Sequence, residues 1–112
     1  MTDLLTRWVD ICCITELRPE RGRAVLVEGA QVAVFRTIDN ELFAVGNRCP
    51  TSGADVMAHG RVGTRRDRPA VASPVNHQVF DLRTGACLDD GTVRLPTYRV
   101  RLVGDRVEVA SE

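Results

Sequence analysis

Apolar residues recur at every second position over much of this chain, and runs of Val, Ile, Phe and Thr are bounded by Gly, Pro, Asn and Asp. That is the period of half-buried strands rather than of helices. Residues 8–14 predict a first strand, ended by Leu17-Arg-Pro-Glu-Arg-Gly22. Residues 23–28 and 31–37 predict a hairpin closed at Glu28-Gly29-Ala30. After a turn at Asp39-Asn40, residues 41–46 complete a three-stranded meander. Within Gln31-Val-Ala-Val-Phe-Arg36, Val32 and Val34 point to one face and Ala33 and Phe35 to the other. A strand that is apolar on both faces lies between layers, so stacked sheets are expected.

Residues 47–69 interrupt the alternation and predict two loops around a short element at 54–58. Strands are expected again at 69–73, 79–82 and 86–88, with turns at Thr84-Gly85 and Asp89-Asp90-Gly91. Near the C-terminus, Tyr98, Val100 and Leu102 face one way and Arg99 and Arg101 the other. Gly104-Asp105 turns the chain, and Val107 and Val109 then alternate with Arg106 and Glu108, which predicts a half-buried antiparallel hairpin. No helix cap precedes a 3.6-residue apolar period, so any helix should be short. With no repeat and no linker, the expectation is one all-β domain over residues 1–112.

Composition narrows the function classes. A chain of 112 residues can hide roughly two thirds of its unfolded surface, so it needs no disulfide framework. Apolar residues at 44% and charged residues at 27% exclude a disordered chain. Fifteen basic residues balance fifteen acidic ones, which removes the electrostatic case for nucleic acid or an anionic membrane as partner. Every basic residue is Arg; this runs through the whole chain and reads first as genomic compositional bias. No run approaches the ~20 apolar residues of a membrane span. The first eight residues lack the basic and apolar regions of a secretory signal. A cytoplasmic location is therefore expected, with the four cysteines reduced.

Two segments carry candidate chemistry: Cys49-Pro50-Thr51-Ser52-Gly53-Ala54-Asp55-Val56, and Ser73-Pro74-Val75-Asn76-His77-Gln78-Val79-Phe80-Asp81-Leu82-Arg83-Thr84-Gly85. Together they resemble the two cluster-binding loops of Rieske-type proteins, C-P-H-x-G-A-x-L and C-P-x-H-G-x-x-F-D-x-x-T-G. The shared frame is Cys49, Pro50, Gly53 and Ala54, then Pro74, Phe80, Asp81, Thr84 and Gly85. The resemblance implies a Rieske-like fold of stacked antiparallel sheets, with the two loops forming its tip. It also places the four ligand positions of a [2Fe–2S] centre at Cys49, Thr51, Ser73 and Asn76. Such a centre needs two thiolates and two imidazoles. Only Cys49 is one of them; hydroxyls and a neutral carboxamide are poor donors for this iron. The expectation is a degenerate site with no cluster, no other metal and no catalytic residue in this chain. Thr51, Ser73 and Asn76 should then satisfy one another or ordered water, since a buried unsatisfied polar group costs about 1–3 kcal/mol.

That pattern of replacement, the length, the tail Val93-Arg-Leu-Pro-Thr-Tyr-Arg-Val100 and the approach Ala44-Val-Gly-Asn47 resemble the small subunits of bacterial assimilatory NAD(P)H nitrite reductases. This resemblance implies a large-subunit partner carrying FAD, a [4Fe–4S] cluster and sirohaem, which reduces nitrite to ammonium. The small subunit is then a non-redox auxiliary, and its loop tip a candidate docking surface. Two other classes compete: a Rieske-type ferredoxin-like electron carrier, which needs all four ligands, and a generic β interaction module.

Other residues carry weaker readings. Cys49, His59, His77 and Cys87 follow no compact zinc spacing. His77 stands where the family motif has glycine and is expected at the surface. Cys12 and Cys13 should point to opposite faces of a strand, one into the core. Arg48 beside Cys49 is expected to favour its thiolate. Arg61, Arg65, Arg66 and Arg68 form a basic run suited to an acidic surface or simply to solvent. Trp8 either anchors an interface or closes one end of the core.

Overall fold

The computed structural model describes residues 7–65 and 67–111; expectations resting on residues 1–6 and on Arg66 lie outside the described residues. The strands are β1 (Trp8–Cys13), β2 (Arg21–Val27), β3 (Ala30–Arg36), β4 (Leu42–Gly46), β5 (Arg61–Arg65), β6 (Arg68–Ala72), β7 (Val79–Asp81), β8 (Thr97–Tyr98), β9 (Val100–Val103) and β10 (Arg106–Ala110). Single 3-10 turns follow β1 at Ile14–Glu16 and precede β5 at Met57–His59. The strands build three sheets, ordered β1-β10-β9, β2-β3-β4-β8 and β5-β6-β7, with every pairing antiparallel.

The two apolar faces of β3 set the layering. Val32 and Val34 are buried with Cys12, Val107 and Val109 from the β1-β10-β9 sheet. Ala33 and Phe35, on the opposite face, pack with Val62, Val71 and Phe80 from the β5-β6-β7 sheet. The four-stranded sheet is thus the middle layer, shared by two cores. The β2–β3 hairpin closes as expected: Val27 pairs with Ala30, leaving Glu28 and Gly29 as a two-residue turn. Both have positive φ, 49° and 88°, which matches the right-handed strand twist.

Three expectations change. Residues 61–65 form β5 instead of a loop. Its Val62 is the one apolar side chain turned inward and buried, and Gly63 with flanking polar residues hides the period. The element expected at 54–58 is the 3-10 turn Met57–His59. Residues 86–88 make only isolated pairings, Phe80 with Cys87 and Ala86 with Arg94. Beyond them the Asp90 carboxylate accepts from the Thr92 N–H (3.0 Å) and hydroxyl (2.7 Å), and that turn carries the chain off the ladder.

The C-terminal hairpin forms with Val107 opposite Leu102 and Val109 opposite Val100. Leu102 nevertheless stays 49% exposed, because β9 is the edge of its sheet. Cys12 is buried and Cys13 half-buried, and burial pushes the Cys12 thiol up. Trp8 belongs to neither buried cluster; it is half-buried, with the Arg101 guanidinium carbon 4.1 Å and that of Arg99 5.4 Å from its ring centre.

Candidate functional site

β4 and the short turn before β5 hold the first loop. Asn47, buried at the end of β4, fixes its base: Oδ1 accepts from the Ala58 N–H at 2.8 Å, and Nδ2 donates to Gln31 Oε1 and the Asp55 carbonyl. The loop doubles back where Cys49 N–H donates to Ala54 O and Gly53 N–H to Cys49 O, each 2.8 Å. Gly53 has φ +76°, a conformation that favours glycine.

β6 and β7 hold the second loop. Ser73 N–H donates to Gln78 O at 2.8 Å, and His77 N–H to Ser73 O at 3.0 Å. The Ser73 hydroxyl accepts from Val75 N–H, and Asn76 Oδ1 from Gln78 N–H. His77 is exposed with φ 61°. The family glycine at this position thus has a backbone reason, and the histidine side chain is turned to solvent.

The four positions singled out from the sequence meet at the tip. Cys49 Sγ accepts from the Ser73 hydroxyl at 3.5 Å and from Asn76 Nδ2 at 3.8 Å, and lies 3.7 Å from Thr51 Oγ1. Asn76 Nδ2 also donates to Thr51 Oγ1, and the Thr51 hydroxyl donates to Gln78 Oε1 at 2.9 Å. Cys49 and Ser73 are buried, whereas Thr51 and Asn76 are exposed. No buried side-chain nitrogen or oxygen among the described residues lacks a partner.

Burial pushes the Cys49 thiol up, but hydrogen bonds from Ser52 and Ser73 outweigh it and lower the thiol to about 6. The help expected from Arg48 is replaced by these donors: Arg48 Nε turns away to the Gly53 carbonyl at 3.1 Å. One thiol, two hydroxyls and a carboxamide do not fit a [2Fe–2S] cluster, which requires thiolate and imidazole donors. The described residues contain no group of three or more His, Cys, Asp or Glu side chains able to hold a metal, so Cys49, His59, His77 and Cys87 do not converge on one.

The second half of the motif does different work. Asp81 is buried; Oδ2 accepts from Arg68 at 2.9 Å, and Oδ1 from the N–H groups of Arg83 (2.7 Å) and Thr84 (3.3 Å). Burial pushes its carboxyl up, but these donors outweigh that and hold it below the usual carboxylate range. Gly85 has φ +78°, and a Cβ there would lie 2.1 Å from the Leu95 carbonyl oxygen. The expected basic run is divided: Arg65 pairs with Asp89 at 2.8 Å and Arg68 with Asp81, while Arg61 makes neither kind of contact.

Gln78, Ser52 and Asn47 complete the tip and were not singled out from the sequence. Gln78 and Asn47 act through partners many residues away. Ser52 carried a local signal, a hydroxyl in the turn three residues after Cys49.

A Rieske-like [2Fe-2S] domain model matches residues 7–110, and the chain belongs to that family. Within it, the chain belongs with the NADH nitrite reductase small subunits. It is 32% identical over 99 residues to the small subunit of Escherichia coli K12, covering 88% of this chain and 92% of that one. The crystal structure of a Mycobacterium tuberculosis protein described as an NADH-dependent nitrite reductase small subunit superposes with a TM-score of 0.92. Its identity is 45%, with 94% and 95% of the two chains covered. A stretch of the NAD(P)H nitrite reductase large subunit of Klebsiella oxytoca is 29% identical over 105 residues, which is 94% of this chain and 11% of that protein.

Proposed function

We propose that this chain is the small, non-redox subunit of an assimilatory nitrite reductase that reduces nitrite to ammonium with NAD(P)H. The chemistry resides on a large subunit carrying FAD, a [4Fe–4S] cluster and sirohaem, and the complex is cytoplasmic. Near-complete mutual coverage with the E. coli small subunit carries the subunit reading. The Klebsiella relative supports the partnership, since a domain of this kind is there part of the large-subunit chain. No helix among the described residues is long and apolar enough to cross a membrane.

The donor set carries the non-redox half. Cys49, Thr51, Ser73 and Asn76 occupy the degenerate ligand positions and hydrogen-bond to one another. An electron carrier of the ferredoxin kind needs four thiolate and imidazole ligands there. The test is co-expression with a candidate nitrite reductase large subunit from the same organism. The two chains should co-purify, and omitting the small one should lower NAD(P)H-dependent nitrite reduction. Independent behaviour of the two chains would leave only a generic β interaction module. Visible absorption and acid-labile sulfide in the isolated small subunit would restore the carrier.

A further inference from the structure

Four exposed arginines whose side chains form no ion pair or hydrogen bond among the described residues line one continuous surface, whereas Arg94, also unpaired, stands apart from it. Ion pairs engage Arg7, Arg65, Arg68, Arg83, Arg101 and Arg106, and Arg99 lies over the Trp8 ring. Arg36 and Arg48 are taken up by Asn40 and by backbone carbonyls. Arg18, Arg21, Arg23 and Arg61 have no such contact, are exposed, and line two adjoining grooves of about 660 and 240 Å³. The larger groove runs between the start of β2 and the start of β5, each an edge strand of its sheet. Two carboxylates, Glu16 and Glu20, also border the grooves, and Glu16 is engaged by the Cys13 N–H at 2.8 Å. Guanidinium therefore prevails in a chain whose net charge is zero.

This surface continues to the loop tip. His59 and Arg61 line the large groove on one side and, on the other, a further groove of about 450 Å³ that reaches Ser73, Pro74 and His77. Val75 stands 52% exposed in the same loop. A rim of unpaired guanidiniums beside an exposed apolar residue has the composition of a protein-docking face. Arginine forks favour carboxylates, which they bind in bidentate pairs.

We propose that the flank from the tip through His59 and Arg61 to Arg18, Arg21 and Arg23 is where this subunit receives an acidic segment of its large subunit. The inference rests on the subunit reading above and specifies its surface. The partner contributes Asp and Glu side chains, and the arginine flank steers and orients the encounter.

The experiment measures binding of the purified holo large subunit to wild type, to Arg21→Glu/Arg61→Glu, and to Arg94→Glu. Arg94 is equally exposed and unpaired but lies outside these grooves. Thermal melts establish that all three are folded, and Arg18→Glu/Arg23→Glu serves as a second pair of reversals. Each double reversal should weaken association by about tenfold or more and flatten its dependence on salt, while Arg94→Glu binds like wild type. Wild-type affinity in both double variants, or equal weakening by Arg94→Glu, overturns the surface and leaves the subunit reading standing. Failure of the wild type itself to bind removes both.

Discussion

The two ends of β7 carry the two halves of one motif, and they are built on different terms. Before the strand, Ser73 and Asn76 join Cys49 and Thr51 in a polar network that is half exposed. At its other end, Asp81 and Gly85 are buried and, with the exposed Thr84, form a turn in which each group has a fixed role. The family motif is departed from at three of the four ligand positions and at His77, whose φ of 61° strains a residue other than glycine, while Asp81, Thr84 and Gly85, which the polypeptide itself needs, match it. A ligand that binds nothing has no geometric duty, so a hydroxyl or carboxamide can replace it if its hydrogen bonds are met. Asp81 has no such freedom: two backbone N–H groups and a guanidinium converge on one buried carboxylate.

Two glycines give the widest separation. Gly53 in the first loop and Gly85 in the turn have nearly equal positive φ, +76° and +78°, but a Cβ at Gly53 meets nothing within 4 Å. Gly85→Ala should cost about 3 kcal/mol or more, from strain plus collision with the Leu95 carbonyl, and lower Tm by roughly 10 °C or more. Gly53→Ala should cost only the conformational penalty, about 1–2 kcal/mol. Equal melting shifts for the pair would break the comparison.

Asp81→Ala comes next, at about 2–3 kcal/mol, because the buried carboxylate that the part-buried Arg83 and Thr84 N–H groups converge on is lost. The discount for Arg68 is large, since its side chain is 58% exposed. The acid limb has a defined sign. The folded carboxyl sits below its unfolded value, so its stabilisation is complete above about pH 4 and is lost as pH falls through the folded value. Urea midpoints measured down the acid range should therefore fall less steeply in Asp81→Asn than in wild type.

How much of this was legible depends on how local each cause is. The β2–β3 turn was, because Glu28-Gly29 states its own geometry, and so was the middle layer, because Val32 to Phe35 are apolar on both faces. Strand β5 was not: Val62 alone carries its inward face, and pairing with β6 rather than its own pattern makes it a strand. Leu102 read as inward from alternation and is exposed because sheet order, a long-range property, puts β9 at an edge. At the tip, the motif located Cys49, Thr51, Ser73 and Asn76, but the part played by Gln78 depends on its reaching Thr51, 27 residues away.

Two of the three buried thiols sharpen the same contrast on a smaller scale. Cys12 and Cys49 are equally hidden, yet burial raises the first while hydroxyl donors bring the second to about 6. The thiolate of Cys49 thus stabilises the fold above the ordinary thiol value, and that contribution fades as pH falls through about 6. The difference in ultraviolet thiolate absorbance between wild type and Cys49→Ser should show this midpoint. Ser73→Ala should move it upward, and an unmoved midpoint would mean that the hydroxyl is not its cause.

The smallest effect belongs to Asn76. Its carboxamide touches Cys49, Thr51 and Gln78, which looks like a keystone. But Asn76 and Thr51 are exposed, so water can take over each of these bonds when the amide is removed. Exposure, not the number of partners, decides the cost. Asn76→Ala should lower stability by about 1 kcal/mol or less in urea unfolding, well below Asp81→Ala with its similar count of hydrogen bonds. A loss as large as that of Asp81→Ala would show that the tip is as structural as the turn, and the division at β7 would disappear.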